Sequence, residues 1–76
     1  MEARKRLLTA LGLNIRQRRE RQKLSQEALA EKSRLHRTYI SDVENGKRNL
    51  SICTLFCIAM ALDSTIKELL IGTEDF

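Results

Sequence analysis

The chain has no proline, only three glycines, two cysteines and a single histidine among its 76 residues. With no proline, no low-complexity linker and no internal repeat, nothing marks a boundary, and one domain over residues 1–76 is expected. Two cysteines and one histidine do not complete a zinc site. No metal, cofactor or small-molecule ligand is therefore expected. There is no glycine-rich phosphate loop and no nucleophile beside a convincing base, which argues against an enzyme. No apolar run reaches the length of a bilayer span. The stretch Met1 to Leu13 briefly imitates a signal peptide, with Arg4, Lys5 and Arg6 ahead of Leu7, Leu8 and Leu11. It runs directly into Arg16, Arg18, Arg19 and Arg21 without a small-residue cleavage pattern, so the imitation fails. Cys53 and Cys57 stand four apart in one predicted helix and read as small apolar side chains; free thiols suit a reducing cytoplasm.

What is present is short and unevenly charged. A chain of this length has room for one core, because small domains bury only about 60% of the surface their unfolded chain exposes. With no disulfide framework or metal to staple it, self-association is a natural further source of stability. The net charge is +4, yet residues 1–48 carry 13 Lys and Arg against 6 Asp and Glu, whereas residues 49–76 carry 1 against 4. One-sided basic charge in a small domain points to a polyanion, since Lys and Arg that neutralise phosphates release condensed counterions.

Hydrophobic spacing and capping residues predict an all-α, five-helix bundle with no strand. Leu8, Leu11, Ile15, Arg19 and Gln22 recur at steps of three and four, predicting a helix over roughly Glu2 to Gln22 with a basic outer face. Gly12 is expected to loosen it. Ser25 stands as an N-cap for a second helix, Gln26 to about Lys32. Ser33, Arg34 and Leu35 turn into a third, about Arg37 to Glu44, closed by Asn45 and Gly46, with the glycine suited to a left-handed position. Ser51 precedes a fourth helix, Ile52 to Leu62, and Thr65 with Glu68 has capping-box spacing for a fifth ending near Gly72.

Two short helices joined by a tight turn, beside a basic first helix, form a helix-turn-helix pattern. Only Ile40 and Val43 of the third helix read as core, leaving Arg37, Thr38, Tyr39, Ser41 and Asp42 on its surface. The run Leu24-Ser25-Gln26-Glu27-Ala28-Leu29-Ala30, then Leu35, Ile40-Ser41, Glu44-Asn45-Gly46-Lys47 and Leu50-Ser51, resembles the phage-repressor (Cro and repressor) type of helix-turn-helix domain. The resemblance runs from about Leu11 to Leu70. The segment Arg37-Thr38-Tyr39-Ile40-Ser41-Asp42-Val43-Glu44 is most similar to the controller proteins of bacterial restriction-modification systems.

That resemblance implies a cytoplasmic, sequence-specific regulator of transcription that binds double-stranded DNA, and it implies roles for particular residues. Gln26 falls where relatives contact a phosphate, at a helix start that already favours an anion. Arg37 and Thr38 open the recognition helix, where arginine can bond guanine O6 and N7 together and threonine suits thymine. Tyr39 has two roles open to it, a DNA contact or packing of its ring on the first helix. Asp42 occupies a base-reading position; it can accept from cytosine N4, act against wrong sites or orient Arg37. Asn45, Gly46, Lys47 and Arg48 match the loop that clamps the DNA backbone. Arg19 and Glu44 match a largely buried salt bridge, consistent with Arg19 falling on the apolar stripe. His36 replaces the Ser or Thr that relatives carry as a cap.

The fourth helix has no charged residue over the eleven positions from Ile52 to Leu62. Ile52, Leu55, Ile58, Ala59 and Leu62 suffice for one buried side. A helix apolar all round is normally covered all round, so Phe56 and Met60, with Ile66 and Leu70 alongside, are expected at a homodimer interface. Cover by the start of the first helix is the competing possibility. The resemblance further implies that a dimer near a promoter represses, or by touching RNA polymerase activates, its own gene and a nuclease gene. The alternative is a protein-binding regulator on this fold, such as an antitoxin. It should offer a long unpaired segment, and the tail from Thr73 to Phe76 provides little.

Overall fold

A computed structural model of the chain describes residues 2–75, so Met1 and Phe76, the outer ends of the expected domain and tail, lie outside the described residues. The helices are α1 (Glu2–Arg21), α2 (Gln26–Ser33), α3 (Arg37–Glu44), α4 (Ile52–Ala61) and α5 (Ile66–Leu69), with no strand among the described residues. At 1.5 Å per residue α1 is about 30 Å long. That length is close to the molecule's longest dimension, 31 Å. No described helix is long and apolar enough to cross a membrane.

Every helix contributes to one core: Leu11 and Ile15 from α1, Leu29 and Ala30 from α2, Ile40 and Val43 from α3, Leu55, Ile58 and Ala59 from α4, Leu69 from α5, with Leu62 just beyond α4. The starts of the helices follow their sequence signals. Ser25 Oγ accepts from the Ala28 amide and Ser51 Oγ from the Thr54 amide, both at 3.0 Å. Thr65 and Glu68 form a reciprocal capping box, and the Thr65 amide holds the Glu68 carboxyl below its ordinary pKa. His36, in the cap position of α3, makes no side-chain cap bond.

The helix ends share a device that only one glycine announces. Lys23, Arg34, Gly46 and Asp63 all take positive φ, at 58°, 60°, 73° and 54°. In each case the next amide reaches back to the carbonyl five residues earlier: Leu24 to Arg19, Leu35 to Ala30, Lys47 to Asp42 and Ser64 to Ala59, at 2.8–3.1 Å. This is the Schellman closure, and Leu24 and Leu35 then fold onto the core. Left-handed backbone costs a residue with a Cβ roughly 1 kcal/mol, a cost glycine escapes. Asp63 is exposed, and Asp63→Gly is expected to raise stability by about 0.5–1 kcal/mol in urea melts. A lower midpoint would show that the aspartate makes a compensating contact.

Candidate nucleic-acid interface

The orientation of α3 is fixed from behind. Ile40 and Val43 are buried, and so is Glu44, at the helix's last turn. Arg19 of α1 meets Glu44 with two parallel bonds, Nε to Oε2 at 2.6 Å and Nη2 to Oε1 at 3.1 Å. Its remaining Nη1 donates to the Leu24 carbonyl at 2.8 Å. Gln26 Nε2 donates to Glu44 Oε1 at 3.0 Å. One carboxylate thus ties α1, the start of α2 and the end of α3 together. The Glu44 hydrogen bond, more than its charge, raises the Arg19 guanidinium above its ordinary pKa, against the opposing effect of burial. No buried side-chain nitrogen or oxygen among the described residues lacks a partner.

In front, the start of α3 faces solvent. His36, Arg37 and Thr38 are exposed, while Tyr39, Ser41 and Asp42 are half-buried. The Arg37 guanidinium stands 3.3 Å from the carboxylate of Glu27 on α2, and both side chains remain largely exposed. Glu27, which no motif or spacing singles out, is therefore the near neighbour of Arg37. Asp42 lies instead with Arg48, Nε to Oδ2 at 3.4 Å. The same guanidinium sits 4.9 Å above the centre of the Tyr39 ring. Tyr39, Asp42 and Arg48 thus form one cluster linking α3 to the loop that follows it, and the acid that could orient Arg37 is Glu27, not Asp42. Asn45, Lys47 and Arg48 are exposed on that loop, whose turn depends on Gly46 at positive φ. Gln26 is half-buried, its amide already engaged with Glu44.

Other polar side chains work as internal ties that periodicity does not reveal. Asn14 Nδ2 donates to the carbonyls of Leu69 and Ile71 at 2.9 and 2.8 Å, and Gln22 Nε2 to that of Leu62 at 2.6 Å. They hold the chain after α4 and α5 against α1.

The face of α4 turned away from the core is uncovered: Phe56 is 53% and Met60 63% exposed, and Cys53 and Cys57 are exposed and free. Ile52, expected in the core, is 64% exposed. The physical reason is its position along the helix: around the axis Ile52 lies beside Ala59, but as the first residue of α4 it stands beyond the packing that buries Leu55, Ile58 and Ala59. Ile66 and Leu70 are half-buried against the core, so only part of each is left for a partner. Among the described residues, the start of α1 leaves Cys53, Phe56, Cys57 and Met60 exposed.

Helices α2 and α3, crossing at a tight turn with an exposed polar and basic front, define a DNA-binding helix-turn-helix. A helix-turn-helix family model matches residues 15–69, and the chain belongs to that family. It is a DNA-binding transcriptional regulator and not an enzyme. It is 48% identical over 60 residues to the control protein C.SmaI of Serratia marcescens, covering 79% of this chain and 71% of that protein. Among solved structures it resembles the restriction-modification controller protein C.AhdI of Aeromonas hydrophila, at 42% identity and a TM-score of 0.80 over 82% of this chain and 94% of that one. It also resembles the controller protein C.Esp1396I, solved as a tetramer on its natural 35-base-pair operator, at 37% identity and a TM-score of 0.81 over 92% and 96%.

Proposed function

We propose that residues 1–76 act as a single domain that pairs into a symmetric homodimer and reads a palindromic operator as the controller of a restriction-modification system. The observation that carries this reading is the exposed start of α3, where Arg37 and Thr38 stand clear of the core beside the basic loop Lys47-Arg48. Arg37 reads a guanine edge, Thr38 a neighbouring base, Tyr39 a phosphate or a base near the centre of the operator, and Asp42 a further base edge. Asn45, Lys47 and Arg48 hold the flanking backbone, with Gln26 turning its amide to a phosphate at the start of α2. Binding exchanges the Glu27 neighbour of Arg37 for a base, which favours sites that return two good hydrogen bonds over sites that return none. The protein works in the cytoplasm, and at a promoter the bound dimer blocks RNA polymerase or, from an adjacent site, contacts it.

Two-fold pairing through α4, with Phe56 and Met60 in the interface and Ile66 and Leu70 alongside, sets the recognition helices about one DNA turn apart, roughly 34 Å. Phe56→Glu is expected to convert the dimer to monomer in sedimentation equilibrium while leaving helical content unchanged, because Phe56 is not part of the core. A dimer that survives this change pairs elsewhere.

Selection of bound duplexes from a random pool tests the reader: a two-fold consensus is expected. Salt-sensitive binding without a consensus would reduce the protein to a general polycation. On the selected site Arg37→Ala should cost about 1–3 kcal/mol, and far less on random duplex. Equal losses on both would move Arg37 to the phosphates.

A further inference from the structure

Two thiols stand on the outward face of α4, unused by the core and by the DNA-facing front. Buried Leu55, Ile58 and Ala59 fix the inner side of this helix. With 3.6 residues per turn, Cys53 and Cys57 fall on the opposite side, one turn apart, in the company of Phe56 and Met60. Both thiols are exposed and free. Residues four apart on a regular helix hold their Cβ atoms about 5–6 Å apart. A disulfide needs roughly 3.5–4.5 Å, so the two thiols of one copy do not join each other.

Two-fold pairing changes that geometry. When two α4 helices cross antiparallel, the position on the axis meets its own copy, and positions equally far to either side meet each other. With the axis near residue 55, Cys53 of each copy faces Cys57 of the other; with the axis near residue 53 or 57, like thiols meet. Several registers over this helix therefore bring sulfur to sulfur.

We propose that Cys53 and Cys57 form a thiol–disulfide exchange site that locks the homodimer covalently in the presence of a low-molecular-weight disulfide. The proposal rests on the α4 pairing given above. In a free protomer an exposed thiolate attacks the small disulfide, expels one small thiolate and keeps the other half as a mixed disulfide. When a second copy docks, its thiolate attacks the protein sulfur of that mixed disulfide, and the second small thiolate leaves. Two protein thiols are oxidised to one disulfide, and one small disulfide is reduced to two thiols. The locked dimer does not dissociate on dilution, so operator occupancy no longer depends on an association equilibrium.

The test incubates the purified chain with oxidised glutathione or with dithiothreitol, followed by non-reducing electrophoresis and operator titration at low protein concentration. Most of the oxidised protein is expected at twice the 8.8 kDa chain mass, reverting on reduction. The slope of occupancy against concentration should fall from about two to about one on oxidation. The double variant Cys53→Ser, Cys57→Ser should keep a slope of about two in both conditions, and monomeric Phe56→Glu should not cross-link. If the reduced protein is dimeric and Phe56→Glu monomeric, yet oxidation yields only glutathione adducts, the exchange site is wrong and the pairing stands. If Phe56→Glu remains dimeric, the pairing itself is wrong. Equal cross-linking of Phe56→Glu and wild type would mark the disulfide as collisional and end the proposal.

Discussion

Glu44→Ala is expected to lower the stability of the fold by about 3–5 kcal/mol, because it strands the Arg19 guanidinium without its carboxylate. The side chains of Arg19 and Glu44 retain only 11% and 2% of their exposure, so water replaces the lost bonds poorly. Gln26 would lose its acceptor at the same time. A domain of this size has on the order of 4–11 kcal/mol in all. The variant should therefore melt more than about 10 °C below wild type. Replacing both partners, with Arg19→Met and Glu44→Leu, should recover much of the loss, since an apolar pair of similar volume removes the unpaired charge. Operator affinity discriminates further: the double variant restores the fold but not the tie between α1, α2 and the end of α3. Wild-type melting of Glu44→Ala would show that this pair does not hold the helices together.

The helix order was legible because the apolar spacing and the capping residues agree with one another at most junctions. Ser25, Ser51 and Thr65 each cap the helix they precede, and Gly46 closes α3 with positive φ. The junctions that were harder to read are those where Lys23, Arg34 and Asp63 take the left-handed conformation that glycine would have advertised. There the tertiary packing of Leu24 and Leu35 outweighs local preference. This is also why α2 runs one residue further, to Ser33, whose hydroxyl turns back to the Leu29 carbonyl at 2.7 Å. Ile52 misled for a different reason. It has the spacing of the inner stripe, but at the first position of α4 it stays exposed. In the interface, the front of α3 follows from its two buried positions, Ile40 and Val43. The neighbour of each charge does not: Arg37 with Glu27, and Arg48 with Asp42 and Tyr39, depend on how α2 and the following loop lie across α3.

Gly12 is the position where sequence and structure part most sharply, and it carries the second large effect. Read along α1 alone, a mid-helix glycine weakens the helix, and alanine should gain up to about 1 kcal/mol. In the fold α1 crosses the end of α3 at this point. A Cβ on residue 12 would collide with the Val43 carbonyl oxygen and lie 2.7 Å from that of Glu44. Both obstacles are backbone, so no side-chain rotation relieves them, and α3 must shift away from α1. That shift pulls on the carboxylate that Arg19 holds. Gly12→Ala should therefore destabilise by about 2–3 kcal/mol despite its better helix propensity, since overpacking in a tight core is of this order. The displaced recognition helix should also bind the selected operator more weakly at temperatures where the variant is fully folded. Glu20→Ala, at an exposed position of the same helix, provides the control and should stay within about 0.5 kcal/mol of wild type. If Gly12→Ala melted above wild type, propensity would have won, and the close crossing of α1 over α3 would not be what sets the recognition helix in place.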